Sequence, residues 1–332
     1  MGTRSVAARP TRRRHYDRGL MQHVRRSTGT PTSPGTPPPC DLIALDLDGT
    51  LLDSRGRISQ GNVAAIASAE AAGIRVVVAT GRSWIESRHA LTALDYDRPL
   101  IASGGSVLSE ARTGTTLLRH AMAESLVMEV VASLRRHDHP ALLLKDTPHD
   151  ADDYVVVGDA PLDPASAWWF ETFAIRHRRV ARIEDDPHPG DTVRVGVVAT
   201  GSELRGAVAE LRADLGDRVF LQHWSAVTAD EPTGSGTHLL EIFNPRVNKW
   251  TMVEELCRRE GIDPRRTVAI GDGLNDVEML THAGLGVAMG NAGAEASAAA
   301  GARTGHHDAD GVAQAIAELL AGRMAIEGGS AM

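Results

Sequence analysis

The sequence predicts an α/β protein: a doubly wound, mostly parallel sheet with helices on both faces, interrupted by an inserted α/β domain. Three observations carry this. Short apolar runs alternate with helix-period stretches at both ends of the chain. Those runs stop at small polar motifs, not at hairpin turns. The middle, roughly 119–237, loses the rhythm and holds seven of the twelve aromatic residues: Tyr154, Trp168, Trp169, Phe170, Phe173, Phe220 and Trp224.

The elements follow in order. Leu42-Ile43-Ala44-Leu45 reads as a buried strand ending in Asp46-Leu47-Asp48-Gly49-Thr50. A helix near 60–72 places Val63, Ile66 and Ala67 on one face, with Gly73 past its end. Residues 74–79 form a second strand that stops at Thr80-Gly81-Arg82, and a helix over about 83–94 leads to a third strand, 100–102, and a turn at Ser103-Gly104-Gly105. Beyond the insert, a helix near 250–260 ends at Gly261. A strand over 267–270 then runs into Gly271-Asp272-Gly273-Leu274-Asn275-Asp276. A helix, a strand over 286–289 and a last helix near 310–321 complete the pattern. The expected boundaries are a basic tail over 1–40, a first core part over 41–118, the insert over 119–237, a second core part over 238–325 and a short tail over 326–332.

Composition narrows the function. The 332 residues carry a net charge of −8. Residues 1–40 hold eight Arg and one acid, +7, which leaves −15 on the rest and argues against a general nucleic-acid binder. Residues 27–39 are all Ser, Thr, Gly or Pro and cannot offset the entropy of ordering. The tail is Arg-rich like a transit peptide but has no amphipathic period. No apolar stretch follows it as in a secretory signal, so a cytoplasmic protein is expected. Cys40 and Cys257 form neither a disulfide framework nor a thiolate metal cluster. No apolar run approaches the ~20 residues of a membrane span.

The chemistry sits at strand ends. Asp46 and Asp48 follow one strand, Thr80 another, and Asp272 and Asp276 a third. Ligands of open parallel sheets bind outside the carboxyl ends of the strands, so these side chains can converge although 226 residues separate Asp46 from Asp272. Several carboxylates in one crevice repel unless a cation sits among them, and all-oxygen ligation favours Mg²⁺. Lysine occurs twice, at Lys145 and Lys249, against 33 arginines, which marks both for attention.

Asp-Leu-Asp-Gly-Thr, Thr-Gly-Arg, the isolated Lys249 before a helix, and Gly-Asp-Gly-Leu-Asn-Asp resemble, in order, the four motifs of the haloacid dehalogenase-like superfamily. The large insert, Gly-Val-Ala-Met-Gly-Asn-Ala over 286–292 and Asp-Gly-Val-Ala over 310–313 are similar to its Cof-type phosphatases. The resemblance covers about 41–118 and 238–321. It implies a Rossmann-like core with the insert as a cap over the site, and a Mg²⁺-dependent phosphatase of small phosphorylated metabolites such as sugar phosphates or phosphorylated cofactors.

It also implies roles for individual residues. Asp46 would be the nucleophile that forms an aspartyl-phosphate, and Asp48 the general acid and base. Lys249 would neutralise charge on Asp46 and the transferring group. Thr80, the Gly81 amide and Asn275 would bind phosphoryl oxygens. Asp46, Asp48 through its carbonyl, and Asp272 would hold Mg²⁺, with Asp276 supporting the metal or Lys249. Arg82 would contact substrate or tie its helix to the insert. A phosphomutase on the same scaffold is the alternative, and a non-catalytic phospho-ligand sensor a more distant one.

Several features read differently. Asp276 also stands where a helix cap would. The pairs His137/His139 and His306/His307 lack a clear set of metal ligands in the sequence and read as solvated loop residues. Trp168-Trp169-Phe170 reads as core of the insert more than as a substrate platform. Two positions depart from the family pattern: Ser103 replaces an Asn, and Trp250 follows Lys249 where a Gly is usual.

Overall fold

The computed structural model describes residues 38–147, 151–225 and 236–326. The basic tail up to residue 37 and the C-terminal tail after 326 lie outside the described residues. The folded body begins slightly before the expected boundary, because Cys40 is fully buried and Pro38 O accepts a bond from Arg266 Nη2 at 2.8 Å. Among the described residues no helix is long and apolar enough to cross a membrane.

The first half of the core runs β1 (Leu42–Leu45), α1 (Gln60–Ala71), β2 (Arg75–Ala79), α2 (Trp84–Thr92), β3 (Pro99–Ala102), β4 (Val107–Glu110) and β5 (Thr116–Arg119). A second group follows: α3 (Glu124–Arg136), β6 (Ala141–Lys145), β7 (Tyr154–Val157), α4 (Pro164–Thr172), β8 (His177–Val180), β9 (Thr192–Thr200), α5 (Gly201–Leu215), β10 (Phe220–Ser225) and β11 (Thr237–Phe243). The chain then returns through α6 (Lys249–Glu260), β12 (Thr267–Gly271), α7 (Val277–His282), β13 (Leu285–Ala288), α8 (Ala294–Ala299), β14 (Ala302–Arg303) and α9 (Gly311–Leu320).

Two sheets result. The first has the order β14-β13-β12-β1-β2-β3-β4-β5, parallel from β14 to β3 and antiparallel at β4 and β5. The second has the order β10-β11-β9-β6-β7-β8. Thr237–Phe243 pairs with β9 and β10, so the second sheet continues past residue 237, where the sequence placed the return to the core. That strand carries a single buried charge, Glu241, within Leu-Leu-Glu-Ile-Phe.

The central parallel strands β1, β2 and β12 are apolar along most of their length because both faces are covered. Ile43, Leu45, Val76, Val78, Val268 and Ile270 pack with α1 and α9 through Ile66, Val312 and Ile316. Leu42, Ala44, Val77, Ala79 and Ala269 pack the other way, against Met252, Val253, Met279 and Ala296 of α6, α7 and α8. The outer face of the second sheet buries Leu143, Val155, Val195 and Leu240 under α3 and α5. Its inner face, with Leu142, Leu144, Tyr154 and Val156, joins the same apolar cluster as the first sheet.

The chain leaves β1 in one direction through β2 and β3 and resumes on the other side at β12 and β13. The carboxyl ends of β1 and β12 are therefore a point where strand order reverses, the place where such sheets open a crevice.

Candidate active site

β1 and β12 are hydrogen-bonded neighbours, with Leu45 opposite Ile270, so Asp46 and Asp272 leave the sheet side by side. Beyond Asp46 the chain makes a wide turn over Leu47–Leu51, with Gly49 at φ +70°. A Cβ on Gly49 would stand 2.2 Å from Asp272 Oδ2, so only glycine lets the two loops approach this closely.

Three carboxylates meet at this point. Ligand oxygens of Asp46, Asp272 and Asp276 all lie within 4.8 Å of one another. Lys249, the first residue of α6, reaches into them fully buried: its Nζ is 2.5 Å from Asp46 Oδ1 and 2.7 Å from Asp276 Oδ1. Asp276 Oδ2 accepts the Asp272 and Gly273 amides, each at 2.9 Å. Both oxygens of Asp276 are thus engaged by the protein, one by Lys249 and the other by two amides of the Gly271–Asp276 loop.

The electrostatics are lopsided. Burial, then the neighbouring Asp276, pushes the Asp46 carboxyl far above its ordinary range despite Lys249. Burial and Asp276 push Asp272 up to about 6. Burial opposes the charge on Lys249, yet Asp276 and Asp46 hold its ammonium above its ordinary value. One fixed ammonium does not balance three gathered carboxylates, and the missing positive charge is what a divalent cation supplies. The donors turned to the opening are oxygens, which suits a hard ion.

The remaining expected residues are also near. Thr80 is buried at the end of β2, where its Oγ1 accepts from Arg82 N at 3.1 Å. Asn275 Nδ2 lies 3.4 Å from where a Cβ on Gly81 would be, so the second and fourth motifs touch. Asp48 is half-exposed, and Arg82 grips it with Nε on Oδ2 at 2.8 Å and Nη2 on Oδ1 at 2.5 Å. The Arg82 guanidinium stacks 5.0 Å from the Trp169 ring and 5.2 Å from that of Phe173. Arg82 thereby touches both Asp48 and the insert. The Trp168-Trp169-Phe170 run divides: Phe170 joins the core, Trp169 faces Arg82 and Trp168 is 46% exposed. Ser103, in place of the family's Asn, is buried at φ +52°, a conformation that Asn tolerates better than Ser.

The sequence reading passed over two groups. Asn291 braces the site. Its Nδ2 donates to Gly49 O at 2.7 Å and Asp272 Oδ2 at 3.1 Å, while its Oδ1 accepts His307 N at 3.0 Å. Its signal was the Gly-Asn-Ala turn after β13. The second group bridges the sheets. Glu86 Oε1 accepts Tyr154 Oη at 3.0 Å and Trp169 Nε1 at 2.8 Å. Arg194 donates to Gly81 O at 3.0 Å and Tyr154 Oη at 2.5 Å and pairs with Glu241. Arg194 and Glu241 are lone charges inside apolar strands, which is the pattern that could have exposed them. Lys145, the other lysine, is buried on Asp186 Oδ2 at 2.5 Å and Thr192 Oγ1 at 2.6 Å, inside the second sheet's own loops.

This geometry has counterparts. A haloacid dehalogenase-like hydrolase from Bacteroides thetaiotaomicron is 25% identical in sequence, with a TM-score of 0.67 over 84% of this chain and 99% of that one. The pyridoxal phosphate phosphatase YbhA of Escherichia coli is 27% identical over 279 residues, 83% of this chain and 97% of YbhA. The chloroplastic endoribonuclease YBEY of Arabidopsis thaliana is 28% identical over 290 residues, but this chain spans only 46% of that protein's length. The sequence profile of the haloacid dehalogenase-like hydrolases matches residues 43–316. The chain belongs to the haloacid dehalogenase-like hydrolase family, among its Cof-type phosphatases.

Proposed function

We propose that the protein is a Mg²⁺-dependent phosphatase of small phosphorylated metabolites, and that it works through a phosphorylated Asp46. The observation that carries this is the buried Asp46–Lys249–Asp276 cluster beside Asp272 at the β1 and β12 strand ends. Asp46, Asp272 and the Asp48 carbonyl would hold the ion, which supplies positive charge to the phosphoryl oxygens when bound.

Lys249 engages Asp46 Oδ1, which leaves Oδ2 to attack phosphorus. As the Asp46–phosphorus bond forms, the bond to the leaving oxygen breaks, and Asp48 gives that oxygen its proton. Asp48 then takes a proton from the water that attacks phosphorus, and Asp46 is released as a carboxylate. Arg82 grips both Asp48 oxygens, so one must be let go before it can carry a proton. Thr80, the Gly81 amide and Asn275 orient the transferring group, and Lys249 offsets its charge. The insert acts as the cap: its Trp169 and Phe173 stand over Arg82 at the mouth, where the leaving group lies and water is excluded.

The substrate class follows the E. coli relative, whose name specifies pyridoxal phosphate, and widens to sugar phosphates and other phosphorylated cofactors. Hydrolysis of p-nitrophenyl phosphate with Mg²⁺, followed by a panel of phosphorylated metabolites, tests the proposal. Phosphate release that is lost with EDTA and in Asp46→Asn is the expected result. Wild-type turnover in Asp46→Asn would remove the nucleophile assignment, and sugar-phosphate isomerisation without phosphate release would point to the phosphomutase.

A further inference from the structure

A second set of donor atoms lies apart from the carboxylate cluster, on the turn that leads into α9. His306, His307 and Asp308 each offer one donor atom, and the three atoms lie within 4.8 Å of one another. His306 Nδ1 is 3.6 Å and His307 Nε2 3.8 Å from Asp308 Oδ2. Donors about 2.1 Å from a tetrahedral ion stand about 3.4 Å apart, so each imidazole needs to close on Asp308 by only a few tenths of an ångström.

The hydrogen bonds around His307 and Asp308 leave lone pairs for an ion. His307 Nδ1 is 2.7 Å from Leu52 O, which can only accept. Nδ1 therefore carries the proton and Nε2 the lone pair, the arrangement usual for a metal-bound histidine. His306 Nδ1 accepts Asp308 N–H at 3.2 Å, so an ion bound there would take that lone pair in place of this hydrogen bond. The Ser54 amide occupies Asp308 Oδ1 at 2.7 Å, which fixes the carboxylate and leaves Oδ2 to the two imidazoles. The turn is anchored besides, since His307 N–H bonds Asn291 Oδ1 at 3.0 Å.

We propose that His306, His307 and Asp308 form a binding site for a divalent transition ion of the zinc class, with water as the fourth ligand. Two imidazoles and one carboxylate suit Zn²⁺ and not the Mg²⁺ of the acidic cluster. The ion would tie the loop after β1, through Leu52 and Ser54, to the turn before α9. The site opens to solvent at His306 and Asp308, so the ion can exchange.

Titration of the full chain, free of any histidine tag, with Zn²⁺ in excess Mg²⁺ by calorimetry tests this, alongside Co²⁺ titration followed by visible absorption. The expected result is Zn²⁺ binding and tetrahedral Co²⁺ bands that persist in Asp46→Asn and in His223→Ala, which breaks the separate His223–His238 pair of the second sheet, 3.2 Å apart between Nε2 and Nδ1. Binding should weaken at least tenfold in His306→Ala/His307→Ala. Asp308→Asn should weaken it while melting normally without zinc, which guards against misfolding of the double variant. Wild-type affinity in the double variant, loss of binding in Asp46→Asn or His223→Ala, or no Zn²⁺ binding by the wild type overturns the proposal.

Discussion

Two buried polar assemblies in this fold differ in how their charge is balanced. At the junction of the sheets, the arginines Arg82 and Arg194 accompany the buried Glu86 and Glu241. Tyr154, Trp169 and the Ser83 amide complete the partners of Glu86. In the pocket at the β1 and β12 ends, Lys249 alone faces Asp46, Asp276 and the nearby Asp272. The first assembly pairs its charges within the protein and seats the second sheet on the loop after β2 through Gly81 O. The second leaves negative charge without a partner among the described residues. A buried polar network that satisfies itself specifies a docking geometry, whereas one that does not marks a binding site.

Substitutions separate the two. Asp46→Asn should lower phosphatase turnover by at least about a thousandfold, because the proposed covalent intermediate forms on Asp46. The same change removes one carboxylate from an over-acidic cluster, so the metal-free melting temperature should hold or rise. Arg194→Met should do the reverse to stability, costing about 3–5 kcal/mol by stranding the buried Glu241. Denaturant unfolding checks this, and a loss under about 1 kcal/mol would show that the junction is not the closed network described.

Asn291→Ala should weaken Mg²⁺ binding roughly 10–100-fold by releasing Asp272, with KM for substrate little changed at saturating Mg²⁺. Calorimetry on the metal-free protein reads the affinity without turnover, and an unchanged value would reduce Asn291 to a loop brace.

The smallest effect is on pH. With Asp272 raised to about 6, its proton competes with the cation. Mg²⁺ affinity should fall as pH drops through 6, by up to about tenfold per unit. Without metal, the folded state keeps a proton that the unfolded chain loses near pH 4. Stability contributed by this group therefore declines as pH rises from about 4 through 6, and Mg²⁺ should reverse that decline. Melting curves in EDTA and in Mg²⁺ across this range measure both.

Much of the fold was legible because the core strands are short apolar runs, each closed by a polar motif at its carboxyl end. Strands over 75–79 and 267–271 and helices over 60–71 and 249–260 lie within about a residue of where periodicity put them. The end of the second sheet was not legible. β11 is apolar on both sides of Glu241, and nothing local to residues 237–243 says which sheet it joins. The expected site residues were readable as residue types at strand ends. Asn291 and Arg194 were not, since their meaning lies in partners about 240 and 110 residues away in sequence.

By itself, the sequence determined the alternation of elements, the apolar strands buried on both faces, and which acidic, hydroxyl and ammonium groups end them. Those are local properties of periodicity and composition. Only the tertiary structure decided that Lys249 binds both Asp46 and Asp276 and that Arg82 joins Asp48 to the insert. Each of these depends on the distance between charges in space, which spacing along a chain does not encode.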